Sequence, residues 1–460
     1  MIVRKFGGTS VQDAEAMRRV TDIVRSFASE PSLIVLSACA GVTDVLMRIA
    51  RLAPSGRCDE AFSLVDTLQA RHRVIVDELF GISDGGEARA IVDQSMDEVR
   101  TFVTGVAIVG EASPRSFDHL ASIGEVLSSR ILHAELVRQG GAAVWMDARS
   151  LLVTDDNFTC ARPLLDETRI RLLDRVQPIL SSGSIVVTQG FVGGTVSGIT
   201  TTVGRGGSDY SASIFGSLLA AKEIQIWTDV DGILTADPGI IHEARRIRLM
   251  SFREAAELSY FGARVLHPET IRPAVDQGIP VRVLNSRKPG TDGTLIVKSD
   301  RSPEGCRVKS VAYKEGITVV TVVSEKMFLS HSFLEEVFDI LNRHQSVVHT
   351  VAASDVSVSV TMNGGGMVDE IVAELSTFAS VTVARHKALV AVVGEGLRAS
   401  SGIAARIFGA LGDENVNMIS QGASEVNVSF VVDESRITEV VRKLHGELFS
   451  DSDRYPEVFA

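Results

Sequence analysis

The sequence lacks the features that mark several large classes of protein. Its four cysteines form no C-x-x-C pair, which argues against a zinc site or a disulfide scaffold and is typical of a reducing cytosol. No apolar run reaches the roughly 18 residues that a membrane span needs. Arg4 and Lys5 lead into glycines, whereas a signal peptide would continue into an apolar core. We therefore expect a cytoplasmic protein.

Positive charge is also scarce. The 460 residues carry a formal net charge of −12 and the sequence pI is about 5.4. Because nucleic acids and anionic membranes select basic surfaces, we expect neither as the main partner. The composition, with 45% hydrophobic and 23% charged residues, is that of a folded protein, and the length suffices for about three domains.

Common catalytic motifs are missing as well. The chain contains no G-x-x-x-x-G-K-[ST] loop, no H-E-x-x-H, no G-x-S-x-G and no kinase H-R-D set. The residues that usually carry out the mechanisms tied to those motifs are therefore not found in their usual pattern. No histidine or cysteine stands in an obvious position for a general base.

Short apolar segments alternate with longer helical patterns up to about residue 300. The expected buried strands are 33–37, 142–146, 184–188, 224–227 and 281–284, and the clearest helices are 121–138 and 209–222. This alternation predicts an α/β domain whose mostly parallel sheet is covered by helices on both faces. Residues 290–296 are expected to form a last strand and 298–305 a polar linker.

The sequence after the linker contains an internal repeat. Residues 333–360 align without a gap on residues 403–430, at an offset of 70 positions. Each copy predicts a helix followed by two strands. Such a pair is more often a ligand-sensing or dimerising module than a catalytic one, and a duplicated packing unit without a ligand is the alternative.

The first ten residues predict a strand, a glycine turn and a helix. Hydrophobic residues bracket Lys5, Gly7 and Gly8 end the strand, and Ser10 is expected to cap the helix. Glycines let backbone N–H groups approach a ligand, and a helix N-terminus favours an anion. An ordinary tight turn with a surface lysine is an equal alternative from this stretch alone.

Further polar clusters are expected at the ends of strands, where the sites of open α/β sheets gather. The most informative one surrounds Arg205, which lies between glycines and precedes Ser208, the expected cap of the helix from residue 209. An arginine beside a helix N-terminus suits a carboxylate or a phosphate; a flexible loop with a solvated arginine is the weaker alternative. The remaining clusters contain Ser37 and Thr43, Glu125, and Thr228 with Asp229, Asp231 and Asp237. These last acidic residues suit ribose hydroxyls or Mg²⁺, or simply form turns.

These residue types suit phosphoryl transfer to a carboxylate. Such a transfer needs positive charge and N–H donors around the moving group. A carboxylate acceptor is already ionised at pH 7, so it needs no general base. Lys5 would contact the phosphate, Arg205 an acceptor carboxylate, and Asp209 would orient the cationic side chains.

Six motifs together resemble aspartate kinase, in that family's usual order: KFGGTSV, VLSACAGVTD, SIGE, TTTVGRGGSDYSA, IWTDVDG and ELSYFGARVLHP. The region 312–455 is similar to the family's paired ACT domains. The resemblance implies an amino-acid-kinase fold at 1–300 and two ferredoxin-like ACT domains at 301–385 and 386–460, possibly with exchanged strands. It also implies transfer of the γ-phosphate of MgATP to the side-chain carboxylate of L-aspartate, the first step towards lysine, threonine, methionine and diaminopimelate.

The resemblance also assigns site residues. Thr43, Glu125 and Arg205 would hold aspartate, with Arg205 on its α-carboxylate and Glu125 near its amino group. Ser37 and Ser208 would line that pocket, and Asp209 would organise the catalytic cations. The residues implied to contact the nucleotide are Lys5, Phe6, Gly7, Gly8, Thr228, Asp229, Leu234, Arg264 and Val265. The implied catalytic residues are Lys5, Asp209 and Arg264, and no protein metal ligand is implied.

Three nucleotide-side positions depart from the family's pattern. Leu234 replaces a tyrosine, Gly239 an arginine and Arg264 a lysine. The planar fork of arginine does not reproduce the point charge of lysine. We therefore expect weak ATP binding, and a sub-micromolar affinity would contradict this expectation.

The implied effector contacts lie in the first ACT domain. They are Met327, Ser330, His349, Ser354 and Asp355. His349 stands where lysine-sensitive members carry an aspartate, and a histidine pairs poorly with an ammonium group. Threonine is therefore an alternative to lysine as the inhibitor.

The resemblance further implies a homodimer formed through the ACT sheets. The chain's end at residue 460 is expected to leave no room for a fused homoserine dehydrogenase. Two other readings stay open at this point. One is an amino-acid kinase that acts on glutamate, acetylglutamate or a nucleoside monophosphate; the other is a catalytically weakened regulatory subunit.

Overall fold

A computed structural model gives the structure of the chain. It describes residues 1–261, 268–299, 307–324 and 331–460. The chain divides into two compact units, Met1–Ile233 with Val265–Lys298 and Leu234–Arg264 with Ser299–Ala460. Residues 234–261, expected in the catalytic domain, cluster with the second unit. The functional boundaries at residues 300 and 385 stay predictions. Within the described ranges, no helix is both long and apolar enough to cross a membrane.

The secondary structure follows in chain order. The strands are β1 (Ile2–Phe6), β2 (Ser32–Leu36), β3 (Ala143–Trp145), β4 (Val153–Thr154), β5 (Ile185–Gln189), β6 (Val192–Thr195), β7 (Thr200–Thr202), β8 (Glu223–Thr228), β9 (Leu249–Ser251), β10 (Val281–Asn285), β11 (Thr294–Val297), β12 (Ser310–Ser324), β13 (Val348–Ala353), β14 (Ser357–Asn363), β15 (Ala379–Val393), β16 (Met418–Gln421) and β17 (Asn427–Asp433). The helices are α1 (Ala14–Ser26), α2 (Val42–Leu52), α3 (Cys58–Asp84), α4 (Gly86–Val109), α5 (Pro114–Arg138), α6 (Leu165–Arg171), α7 (Gln177–Ser181), α8 (Gly207–Leu218), α9 (Phe252–Tyr260), α10 (Pro268–Gln277), α11 (His331–Arg343), α12 (Met367–Leu375), α13 (Ile403–Leu411) and α14 (Ile437–Leu448).

The first unit is built on a mostly parallel sheet. Within this unit its strand order is β3-β5-β2-β1-β8-β10-β11, and only β11 runs antiparallel to its neighbour in this order. The first unit also contains a separate small sheet in the order β4-β6-β7. The five apolar segments predicted as strands form β2, β3, β5, β8 and β10, so that prediction is confirmed.

Helices pack on both faces of this sheet, because alternate side chains of its buried strands point to opposite faces. Phe6, Leu36 and Val187 join the core that α1 to α5 build on one face. On the other face, α8 packs so closely that a Cβ added to Gly216 would lie 2.6 Å from Ile224 Cδ1. The predicted covering of both faces is therefore confirmed, and polar groups of the sheet reach a ligand only at the strand ends.

Two predicted helix caps are wrong. Helix α1 begins at Ala14, because the Asp13 carboxylate accepts the Ala16 N–H at 2.8 Å. Ser10 lies in a short 3₁₀ turn and donates its hydroxyl to Ser286 Oγ at 2.8 Å. Helix α8 already begins at Gly207, so Ser208 is inside the helix. Its cap is Gly206 with φ of +71°, a conformation that favours glycine.

The second unit contains an antiparallel sheet in the order β13-β14-β12-β15-β17-β16. Strands β12 and β15 pair along nearly their whole lengths, with an irregular register between Lys314 and Val319. Before this irregularity β12 pairs with the half of β15 that also joins β17; after it, β12 joins β14 and the other half of β15. Both copies of the predicted repeat show a helix followed by two strands, α11-β13-β14 and α13-β16-β17.

Helix α9 is tied to the sheet of the second unit. Ser251 and Glu254 form a capping box at its start. Glu257 accepts hydrogen bonds from Ser424 Oγ at 2.8 Å and from Asn427 Nδ2. At its end, Tyr260 lies beside β13, where its hydroxyl donates to the Val348 carbonyl at 3.1 Å. This helix thus contacts residues of both repeat copies.

Candidate active site

A cavity of about 510 Å³ opens in the first unit where the parallel strands β1 and β2 end. Its walls come from the turn after β1, the loop after β2, helix α5 and the loop that leads into α8. Eight of the predicted site residues line it: Lys5, Gly8, Ser37, Thr43, Glu125, Arg205, Ser208 and Asp209. The residues at the ends of β1 and β2 converge because these parallel strands present their carboxyl ends at one edge; the others come from α2, from α5 and from the segment between β7 and the first turn of α8.

Lys5 and Asp209 form an ion pair at the base of this cavity. The distance between Lys5 Nζ and Asp209 Oδ1 is 2.6 Å, and the two side chains are only 11% and 16% exposed. Asp209 lies in the first turn of α8, where the helix dipole stabilises a negative charge. The pair therefore fixes the position of a cation at the end of β1.

The glycine turn after β1 passes very close to the loop after β2. A Cβ on Gly8 would lie 2.8 Å from the Ala38 carbonyl oxygen, closer than any side chain allows. The Ala40 N–H donates to the Gly8 carbonyl at 3.1 Å. The missing side chain of Gly8 therefore lets the turn contact the cavity wall that carries Ser37 and Thr43.

Glu125 is buried in the wall formed by α5, with 3% of its surface exposed. The nearby Ala38 backbone and Thr43 hydroxyl favour the ionised form of its carboxyl, but burial outweighs them and raises its pKa to about 8. The Oε2 atom has no hydrogen-bond partner among the described residues. A ligand that donates a hydrogen bond or carries a positive charge would satisfy this atom.

Arg205 lies on the loop before α8. Its neighbours Gly204 and Gly206 have φ of +79° and +71°, and its guanidinium is exposed at the cavity. A guanidinium binds a carboxylate through two parallel hydrogen bonds. The cavity thus presents a cation on one wall and a buried acid on another.

Comparisons with known proteins identify the family of this chain. The family model described as "Amino acid kinase family" matches residues 1–285, and an ACT domain model matches residues 390–448. Lysine-sensitive aspartokinase 3 of Escherichia coli is 38% identical, over 98% of this chain and 99% of that protein. Aspartokinase 1, chloroplastic, of Arabidopsis thaliana is 36% identical, over 98% and 80%. The chain belongs to the aspartokinases.

Solved aspartokinases share the fold. The E. coli aspartokinase III structure in complex with aspartate and ADP superposes with a TM-score of 0.80 at 37% identity, over 98% of this chain and 100% of that one. The E. coli structure with lysine and aspartate gives 0.83, over 98% and 99%. The predicted family and fold class are therefore confirmed.

The nucleotide-side residues of this aspartokinase belong to both units, and two of them lie outside the described residues. Phe6 is fully buried and stacks on Trp227 at 5.8 Å between ring centroids, so only its backbone is available to a ligand. Thr228 ends β8, and its hydroxyl donates to Asp229 Oδ1 at 3.2 Å. Leu234 belongs to the second unit, where its carbonyl accepts from Ser310 Oγ at 2.8 Å. Arg264 and Val265 lie outside the described residues.

Two acidic residues of the same region have structural partners. Asp231 accepts from Asn285 Nδ2 at 2.6 Å and from Lys288 Nζ at 2.8 Å. Asp237 accepts from the Gly239 N–H at 2.8 Å and from the Tyr313 hydroxyl at 2.9 Å. These contacts favour the turn-forming role over a ligand-binding one.

The predicted effector positions are partly described. His349 is partly buried on β13, where Nδ1 lies 3.0 Å from the Tyr260 hydroxyl and Nε2 lies 2.9 Å from Asn363 Oδ1. Burial lowers the pKa of its imidazole. Ser354 and Asp355 lie on the exposed turn between β13 and β14, whereas Met327 and Ser330 fall outside the described residues.

Several lining residues were missed by the sequence analysis. They are Cys39, Asp44, Met47, Phe117, Asp118, Thr159, Phe191 and Thr202. Asp118 lies seven residues before Glu125 on α5, and this helical spacing on one face was the available signal. Cys39 is not a nucleophile in this state, because burial raises the pKa of its thiol to about 12.

Proposed function

We propose that the enzyme transfers the γ-phosphoryl group of ATP to the side-chain carboxylate of L-aspartate in the cavity around Lys5, Glu125 and Arg205. This proposal rests on two groups that line the same cavity. The Oε2 atom of Glu125 has no hydrogen-bond partner among the described residues, and the side chain of Arg205 is exposed. An α-amino acid offers an ammonium group to the first and an α-carboxylate to the second. Its side-chain carboxylate is then left to react.

Charge and position supply the catalysis in this proposal. The acceptor carboxylate is ionised at neutral pH and attacks phosphorus directly, so no residue needs to remove a proton. Lys5, held by Asp209 at 2.6 Å, stabilises the negative charge on the transferred phosphoryl group. Ser37, Thr43 and Ser208 line the pocket and exclude acceptors of the wrong shape.

The nucleotide would be held by the glycine turn of Gly7 and Gly8 together with Thr228 and Asp229. Asp209, the acid beside Lys5, is the oxygen donor that suits Mg²⁺ carried on the nucleotide phosphates, and the ion would neutralise phosphate charge when bound. Weak ATP binding, expected from Leu234, Gly239 and Arg264, remains part of this proposal.

Regulation is proposed to reside in the second unit. An end-product amino acid would bind near His349, Ser354 and Asp355 and inhibit the kinase. Because His349 is held close to neutral by burial, it offers lysine no negative charge, so threonine is retained as the alternative inhibitor. We also propose a homodimer through the ACT sheet and a cytoplasmic location.

The test is an assay of ADP release with aspartate, glutamate or no acceptor, in which hydroxylamine traps the acyl phosphate. We expect aspartate-dependent ADP and hydroxamate, and an Arg205→Ala variant should lose most of its affinity for aspartate. Arg162→Ala is the matched control, because Arg162 is also an exposed loop arginine but does not line the cavity. Lysine and threonine are then added separately to name the inhibitor.

The same assay separates the other readings. Hydroxamate formed with glutamate but not with aspartate would contradict the assigned acceptor. No turnover with any acceptor, in a folded protein that binds lysine or threonine, would favour a regulatory subunit.

A further inference from the structure

One buried carboxylate at the cavity has no role in the mechanism above. Asp118 lies on α5 one turn before Ser122 and two turns before Glu125, and only 1% of its surface is exposed. Burying an ionisable group is costly unless its hydrogen-bonding capacity is used. Its partners therefore indicate what it does.

Both oxygens of Asp118 accept hydrogen bonds from other segments of the chain. The Thr202 hydroxyl donates to Oδ1 at 2.6 Å, and the Thr159 N–H donates to Oδ2 at 2.9 Å. Thr202 is the last residue of β7, and Thr159 belongs to the loop after β4. A single carboxylate thus joins three segments that are far apart in sequence.

The two segments it holds also contact each other and the loop of Arg205. The Ala161 N–H donates to the Thr202 carbonyl at 2.9 Å. Gly204 also lies against the Thr159 loop, where an added Cβ would be in van der Waals contact at 3.4 Å from Cys160 Sγ. Thr159 itself has φ of +70°, a conformation that costs a non-glycine residue free energy and needs fixed contacts to persist.

Arg205 follows directly after this junction. Only Val203 and Gly204 lie between Thr202 and Arg205. The Val203 N–H donates to the Phe191 carbonyl at 3.0 Å. The Gly204 carbonyl accepts from the Gly207 N–H, also at 3.0 Å. The backbone of the loop is therefore anchored on both sides of Arg205. Asp118 supplies the side-chain part of the anchor on the β7 side.

We propose that Asp118 is a positioning residue, whose carboxylate ties α5 to Thr159 and Thr202 and so sets where the loop presents Arg205 to the α-carboxylate of the substrate. It also places Arg205 relative to Glu125, because Asp118 and Glu125 share one helix face. This inference rests on the proposed role of Arg205 in binding aspartate.

The neighbouring threonine provides a matched control. Thr201 is fully buried, and its hydroxyl lies 2.6 Å from Thr154 Oγ1 on the opposite side of β7. Thr201→Val and Thr202→Val each remove one buried hydroxyl and add no charge. Only the second breaks the contact with Asp118.

The experiment measures kcat and the KM values for aspartate and ATP in Thr202→Val, Thr201→Val, Thr202→Ser and Asp118→Asn. We expect Thr202→Val and Asp118→Asn to raise the KM for aspartate by about tenfold or more, since a small misplacement of a binding group is costly. The kcat should fall less than about threefold and the KM for ATP should stay within about twofold. Thr202→Ser, which keeps the hydroxyl, should restore the parent KM, and Thr201→Val should leave it unchanged.

The double variant Asp118→Asn with Thr202→Val adds a further check. If both residues act through one contact, its KM for aspartate should not exceed that of the worse single variant by more than about twofold. Equal effects of Thr201→Val and Thr202→Val would overturn the proposal, as would a loss of kcat at unchanged KM in Asp118→Asn. If Asp118→Asn does not fold, the Thr202→Val and Thr202→Ser pair decides.

Failure of the proposed function would look different. In that case the parent enzyme would not turn over aspartate, or Arg205→Ala would keep the parent KM. If the parent enzyme turns over and Arg205→Ala loses affinity, an unchanged Thr202→Val variant counts against Asp118 alone.

Discussion

The affinity of the empty enzyme for aspartate should depend steeply on pH because of Glu125. Burial raises the pKa of this carboxyl from 4.5 to about 8, so at pH 7 about nine molecules in ten carry a neutral Glu125. The substrate ammonium prefers the ionised form. Binding must therefore expel the proton, and the apparent affinity carries that cost.

The size of the effect follows from the pKa of about 8. The apparent Kd for aspartate should fall about ninefold from pH 6 to pH 7 and about fivefold from pH 7 to pH 8. Calorimetry at pH 7 in buffers of different ionisation enthalpy should detect release of about 0.9 proton per aspartate bound. A carboxyl with an ordinary glutamate pKa would give no change over this range.

Glu125→Gln is the matched variant, because it keeps the shape and removes the titration. It should bind aspartate weakly, with a flat profile between pH 6 and pH 8. In the empty parent enzyme the folded pKa of Glu125 exceeds the unfolded one, so the stability that this group contributes is fully present below pH 4.5 and is lost as pH rises towards 8. The loss is at most about 5 kcal/mol, and Glu125→Gln should avoid it in urea unfolding at pH 8.5. A parent enzyme with constant affinity and no proton release would refute this reasoning.

Three further predictions concern other parts of the chain. Lys5→Met should lower kcat by about 10³-fold in the ADP assay, since it removes the cation beside the phosphoryl group; a loss under tenfold would exclude that role. His72, buried with its pKa lowered to about 4, should destabilise the fold by up to about 3 kcal/mol as pH falls from 6.5 to 4. His72→Phe should reduce this acid sensitivity in urea unfolding, and equal slopes would contradict the assignment. Tyr260→Phe, which removes the hydroxyl contact with His349, should change the inhibitor concentration for half inhibition at least about threefold while uninhibited kcat stays within about twofold; unchanged inhibition would separate this contact from regulation.

The sheet and much of the cavity were predictable because both depend on local patterns. Buried parallel strands are continuously apolar, and polar residues directly after them must meet at one edge. This is why Lys5, near the end of β1, and Ser37, directly after β2, line one cavity. Arg205 reaches the same cavity from the loop after β7 of the small sheet. Their chemical roles were inferred from the residue types and from the resemblance, and they stay predictions.

Other features depend on contacts that no local pattern contains. Asp118 looks like a surface carboxylate of an amphipathic helix until Thr159 and Thr202 are brought against it. Asp13 caps α1 in place of Ser10, because the Ser10 hydroxyl donates its hydrogen bond to Ser286 Oγ, a residue far away in sequence. The clustering of residues 234–261 with the second unit likewise follows from tertiary packing.

The two long strands of the second unit limit how this protein can be recombined. A cut at residue 385 would divide β15, and discarding residues 310–314 would remove the partner of its other half. Neither repeat copy can therefore be grafted onto another enzyme by itself. A chimera that borrows this sensor must take the chain from about residue 307 to residue 460 in one piece, because β12 and β15 join the strands of the two copies in a single sheet.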